Sequence, residues 1–163
     1  MMKSVSILAL VLVAVTMGLS LAHALELPGK MRLDKDTYVA VQGIYYPGFT
    51  IGGLIGEFGG LLVLLVLLFL TPYGTERFWW TAAAFGFLVA GHAVYWLVTH
   101  PVNNFWVRDI DMSGVGAAFF SLLSARDGAG DWTQMRAVWE YSHVARACLG
   151  MASLTAMAIA LTL

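Results

Sequence analysis

Charge is scarce in this chain and cysteine almost absent. Asp, Glu, Lys and Arg make up 12% of the 163 residues while 60% are hydrophobic, far from the balance of an ordinary soluble domain. That composition excludes a water-soluble globule with a charged coat and reads as an integral membrane protein. The formal net charge is −1 with Lys and Arg dispersed, so there is no electrostatic footprint for nucleic acid. Cys148 is the only cysteine, which excludes a disulfide within one copy and leaves the redox compartment open. Its place in an apolar run reads as a small buried core residue. Also missing are a Ser-His-Asp ordering, a phosphate-cradling loop and a dinucleotide fingerprint. No internal repeat is visible, and four spans without repeats offer little machinery for an alternating-access transporter.

Long apolar runs are what the chain does have. Val5–Leu25, Phe49–Thr71, Phe78–Thr99 and His143–Leu163 are each close to the roughly 20 residues that cross a bilayer. The last helix is expected to start outside the hydrocarbon, near residue 135. The expectation is an all-α fold: one domain over residues 1–163, an antiparallel four-helix bundle with short interfacial helices in its two long loops. Those loop helices are placed at Asp34 to Gln42, before Pro47-Gly48, and within Ser113 to Arg126. Pro28-Gly29 is read as the end of the first helix. Thr75 can cap the third span and Asp131 or Thr133 the last. Ala22-His23-Ala24 has the look of a signal-peptidase site, but the apolar run before it is longer than a typical signal core, so it reads as a retained span. In the second span Gly52, Gly53, Gly56, Gly59 and Gly60 give overlapping G-x-x-x-G spacings, the mark of a close-packing face.

Lys and Arg set the expected orientation. Lys30, Arg32, Lys35, Arg108, Arg126, Arg136 and Arg146 fall on the side of the two long links, against Lys3 and Arg77 on the other. That bias puts the long links at the cytoplasmic face of a bacterial inner membrane.

The few ionisable groups inside the spans cluster toward that same end. His23 and Glu26 close the first run, Glu57 lies within the second and His92 within the third, with His100 at its end. Glu140 and His143 lead into the fourth. Ionisable side chains in a span are costly and mark function by default. At 1.5 Å per residue Glu57 and His92 each lie about 12 Å in from their helix ends, and so nearly level. Residues three apart share a helical face, which pairs His23 with Glu26 and Glu140 with His143. Glu-x-x-His in a four-helix bundle is part of a dimetal carboxylate pattern. The metal expectation is therefore His23, Glu26, Glu57, His92, Glu140 and His143 around iron, copper, manganese or zinc. A haem held by two facing histidines is the alternative, and a site without any cofactor stays open. Set against all of these is a buried polar network that only locks the bundle. Trp96 and Trp139 are the aromatics best placed to wall a pocket.

Two segments carry a family resemblance. His100-Pro101-Val102-Asn103-Asn104 and Trp139-Glu140-Tyr141-Ser142-His143-Val144-Ala145-Arg146 resemble the anthrone-oxygenase-like family of small four-helix membrane proteins, most without an assigned activity. Ala22-His23-Ala24-Leu25-Glu26-Leu27-Pro28 matches it more loosely. The resemblance implies oxidation of polycyclic anthrones by dioxygen without a cofactor, with Asn103, Trp139, His143 and Arg146 lining the site. The wider set of His23, Glu26, Glu57 and His92 departs from what anthrone chemistry needs.

The reading is a membrane oxidoreductase, an oxygenase acting on an apolar small molecule that enters from the bilayer. In its cofactor-free form His143 is the base that takes a proton from carbon. The alternative is a non-enzymatic subunit, or a metal- or haem-binding bundle within a larger assembly. A homo-oligomer or a membrane partner subunit is compatible with either.

Overall fold

The structure is a computed structural model and describes residues 2–106 and 131–163. Four helices are long and apolar enough to cross a membrane: α1 (Met2–Lys30), α2 (Lys35–Leu70), α3 (Glu76–Asn103) and α4 (Trp132–Thr162). No strand occurs among the described residues.

The helices run further than the apolar runs alone define. Pro28 lies inside α1, which ends at Lys30. The stretch Asp34 to Gln42 is not a separate surface helix; it opens α2, which passes straight through Pro47. An interior proline costs about 3 kcal/mol. Here Tyr38, Gln42 and Tyr46, spaced by four and so on one face, are all buried, and the two tyrosines, hydrogen-bonded to Glu140 and Asn103, hold the helix across it. In the same way α3 continues past His100-Pro101, with helix over His100–Trp106. The expected interfacial helix within Ser113 to Arg126 lies outside the described residues.

The caps follow the sequence. Thr75 Oγ1 accepts from the Phe78 amide at 3.1 Å, and Asp131 accepts from the Thr133 amide at 3.0 Å and its hydroxyl at 2.7 Å. Asp34 accepts from the Thr37 amide at 2.8 Å. These donors hold the Asp34 and Asp131 carboxyls below the usual range.

Each helix contributes to an apolar core at one end: Ala9 and Val13, Leu64 and Leu67, Ala84 and Leu88, Ala156 and Met157. A smaller cluster of Tyr38, Val102 and Trp139 closes the other end. Glycines bring α1 and α2 together. A Cβ on Gly56 would sit 2.8 Å from Thr16 Oγ1 and 3.2 Å from the Thr16 amide nitrogen, and one on Gly52 would be 3.0 Å from Leu19. Gly53, by contrast, would meet nothing within 4 Å, so only part of the glycine pattern is a packing face. Outward-facing positions are apolar, with Phe69 83% and Leu62 63% exposed, as lipid contact requires. Cys148 is also exposed, not buried as its apolar surroundings implied.

Two π-helical turns interrupt the helices, Leu54–Phe58 in α2 and Tyr95–Thr99 in α3. Such turns recur at functional sites because they re-aim side chains within an otherwise regular helix. The first contains Glu57; the second begins three residues after His92.

Candidate functional site

Side chains from all four helices line one cavity of about 90 Å³, several times what a single water needs. Among the described residues, the first half of α2 has its close backbone neighbours on α1 and stands off from α3 and α4. Long side chains bridge the gap: Tyr38 donates to Glu140 at 2.9 Å and Tyr46 to Asn103 at 3.0 Å. The cavity is the space this stand-off leaves. Of the residues expected from sequence, His23, Glu57, His92, Asn103, Trp139, His143 and Arg146 all line it. Glu26 and Glu140 do not; they lie beside it, around Lys30.

The deeper layer centres on Glu57. Arg146 Nη2 donates to Glu57 Oε1, and His92 Nδ1 lies 2.9 Å from Glu57 Oε2. Trp96 Nε1 donates to His92 Nε2 at 2.8 Å. An indole N–H can only donate, so His92 Nε2 accepts and the ring proton sits on Nδ1, directed at Glu57. Trp96 thus fixes a tautomer; it does not line the cavity. The Arg146 guanidinium also lies 5.0 Å over the Tyr95 ring, a cation–π contact.

His143 comes next. Its Nδ1 is 3.3 Å from Arg146 Nη1. A guanidinium has no acceptor, so Nδ1 accepts and Nε2 carries the proton. That Nε2 is buried and has no hydrogen-bond partner among the described residues. The ring packs 4.2 Å from Trp139 and 4.4 Å from His23, centroid to centroid. His143 therefore offers an N–H donor, where the sequence reading had it as a base. Asn103 Oδ1 accepts from both Tyr46 and, at 2.6 Å, Trp139 Nε1. It fixes the aromatic wall by positioning two of its members.

Lys30 holds the second polar group. Sequence reasoning counted it only as a loop charge, yet it is 4% exposed. Its ammonium lies 2.9 Å from Glu26 and 3.9 Å from Glu140, 3.3 Å from His23 Nδ1, and over the rings of Tyr45 and Trp139 at 4.4 and 4.9 Å. The four-residue spacing Glu26–Lys30 and the seven-residue spacing His23–Lys30 were the available signal. Gln42, Tyr45, Tyr46 and Tyr95 were also missed. Reading 34–48 as surface helix and loop hid the first three, although Tyr38-Gln42-Tyr46 has helical spacing. His100 is buried, with Nδ1 3.2 Å from the Tyr95 hydroxyl.

His23, Glu26, Glu57, His92, Glu140 and His143 are drawn into separate hydrogen-bonded groups. No group of three His, Cys, Asp or Glu side chains is placed to hold a metal ion among the described residues. Both Glu57 oxygens and both His92 nitrogens are engaged, and Glu26 and Glu140 share Lys30. The His23 and His143 rings are in contact. Compared with protein-family models, curated proteins and solved structures, the chain matches none.

Proposed function

We propose that the chain is an integral membrane oxidoreductase: an oxygenase that uses dioxygen on an apolar, polycyclic aromatic molecule drawn from the bilayer, without a cofactor. The bundle runs up and down alternately. In support of this, the core at one end joins the start of α1 and α3 to the end of α2 and α4. The site end faces the cytoplasm of a bacterial inner membrane, on the strength of Arg32, Lys35, Arg108 and Arg126. Lys30, Arg136 and Arg146 are buried and do not count toward that bias.

The observation that carries the reading is the buried, unpartnered Nε2–H of His143 in an aromatic-walled cavity, with Arg146 behind the ring. A ketone oxygen of a flat substrate accepts from that N–H. Glu57 is the one carboxylate lining the cavity among the described residues, and it takes a proton from the substrate's activated methylene carbon. The electron pair left behind delocalises onto the ketone oxygen, where the His143 donor and the Arg146 charge stabilise it in a water-poor setting. The carbanion then reduces dioxygen. One oxygen atom ends as a new carbonyl on the former methylene carbon and the other leaves as water with the two methylene hydrogens. An anthrone and dioxygen thus give an anthraquinone and water. The resemblance of His100–Asn104 and Trp139–Arg146 to the anthrone-oxygenase-like family supports the same substrate class.

Oxygen uptake by the detergent-purified protein with anthrone tests this. One dioxygen consumed per anthraquinone formed, lost in His143→Phe, is the expected result. Uptake no faster than without protein removes the reading.

A second reading has one observation in its favour: the charged groups are largely satisfied by each other, Glu57 by Arg146 and His92, Lys30 by Glu26 and Glu140. Such a network could serve only to lock the bundle as a subunit of a larger membrane assembly. His143→Phe would then lower stability or assembly, with no substrate-dependent oxygen uptake in either protein.

A further inference from the structure

Gln42 is fully buried on the inward face of α2 and lines the cavity. Its carboxamide has two N–H donors and an acceptor oxygen. Neither the nitrogen nor the oxygen finds a hydrogen-bond partner among the described residues. The Tyr38 hydroxyl lies within side-chain hydrogen-bonding reach of it, but that hydroxyl donates to Glu140 and neither polar atom of Gln42 completes a hydrogen bond of good geometry. A buried amide left unsatisfied is costly, and an apolar side chain of similar shape would fill the same volume without that cost. Packing therefore does not account for a glutamine here.

One other lining atom is in the same condition: His143 Nε2, on α4. Between them the walls are flat and apolar, formed by Tyr45, Phe49 and Trp139. The cavity thus combines an aromatic body with two unspent polar contacts on facing helices. Gln42 is neutral and can both donate and accept, which matches a hydroxyl or a carbonyl. It does not match an ion, whose desolvation a lone amide would not offset.

We infer that Gln42 is a specificity-determining residue, hydrogen-bonding a second oxygen function of the flat apolar ligand whose first oxygen is held by His143. The inference rests on the oxygenase reading for what His143 does, and it adds that the ligand carries two separated oxygen groups. A site built to hydrogen-bond a hydroxyl discriminates against the analogue that lacks it, because the site's own polar group is then left unpaired.

Gln42→Leu tests it, with anthrone and a ring-hydroxylated anthrone as probes and Gln42→Met as the substitute should the leucine variant not fold. The expected result is a loss of kcat/KM for the hydroxylated probe about tenfold larger than for anthrone, with thermal stability in detergent kept or raised. Equal losses on both probes, or no loss, overturn the assignment and leave Gln42 as a packing residue or a water ligand. Should the wild type oxidise neither compound, the oxygenase reading falls, and thermal stabilisation by the two probes decides about Gln42 separately. Stronger stabilisation by the hydroxylated probe in wild type, equalised in Gln42→Leu, keeps the assignment. Equal or absent stabilisation in wild type overturns it.

Discussion

Arg146 on α4 reaches across the bundle to Glu57 in the π-helical turn of α2, and the same guanidinium donates to His143. One side chain thereby positions both Glu57 and His143, the proton acceptor and the oxyanion donor of the proposed reaction. Its place in the chain is simple, three residues after His143 on the same helical face. Its partner lies 89 residues away in sequence.

Breaking that ion pair exposes its two roles. Arg146→Met leaves Glu57 buried without its cation, and the expected cost is on the order of 3 kcal/mol, with oxygenase turnover lost. Adding Glu57→Gln removes the stranded charge and recovers most of the stability but none of the activity. Thermal unfolding of both single variants and the double variant in one detergent gives the coupling directly. Additive losses would mean that the pair is not formed.

His143→Phe keeps a ring between Trp139 and His23 and deletes the donor. Turnover should fall by about 10²-fold or more, the scale of losing one oxyanion donor, with little change in melting temperature. His143→Gln, which restores an N–H, should recover part of it. A preparation in which wild type carries stoichiometric metal or a haem band, absent from His143→Phe and from His92→Ala, would replace this account with a ligand site.

Glycine packing makes a steric prediction. Gly56→Leu drives side-chain atoms into Thr16, whose hydroxyl even a Cβ would meet at 2.8 Å and whose amide nitrogen at 3.2 Å, and should destabilise by about 1–3 kcal/mol. Gly53→Ala, where an added Cβ meets nothing, should leave stability nearly unchanged. Similar losses at both positions would show that α1 and α2 do not pack in this register.

Sidedness is read by cysteine labelling in a Cys148→Ala background. Tyr73→Cys, exposed in the tight turn between α2 and α3, should react with a membrane-impermeant maleimide in intact bacterial cells. Lys35→Cys, exposed at the start of α2, should react only after the membrane is opened. The reverse pattern would put the site at the outer face.

Lys30→Met should strand Glu26 and Glu140 and lower stability, Glu140 more than Glu26 because only Glu140 is fully buried. Glu140→Gln in the same chain should restore much of the loss. Unfolding midpoints of the single and double variants decide it, and a Lys30→Met protein as stable as wild type would show that the ammonium is not held at this site.

The four spans, the caps at Thr75 and Asp131, and most of the polar cluster were legible in the sequence. Apolar runs of membrane length have one economical outcome, a helix that satisfies its own backbone in hydrocarbon, so composition settles the secondary structure. The same cost makes each ionisable residue in a span conspicuous. Less legible was where each helix ends. Pro28 and Pro47 read as breaks, yet both lie within helices; at Pro47 the buried, hydrogen-bonded Tyr38 and Tyr46 on the same helix outweigh the local penalty. That misreading hid the tyrosine-rich wall and Gln42, while Lys30 was hidden by counting it as a surface charge.

By itself the sequence determined that this chain is a set of four membrane-length helices with its histidines and carboxylates gathered toward one end, since hydropathy and spacing act locally. Only the tertiary structure decided which groups meet. Arg146 takes Glu57, Lys30 is shared between Glu26 and Glu140, Trp96 fixes the His92 tautomer, and His143 and Gln42 are left facing the cavity unspent. Hydrogen bonds and ion pairs act over a few ångströms and depend on helix rotation and stand-off, and a shift of one residue in a π-helical turn is enough to exchange one partner for another.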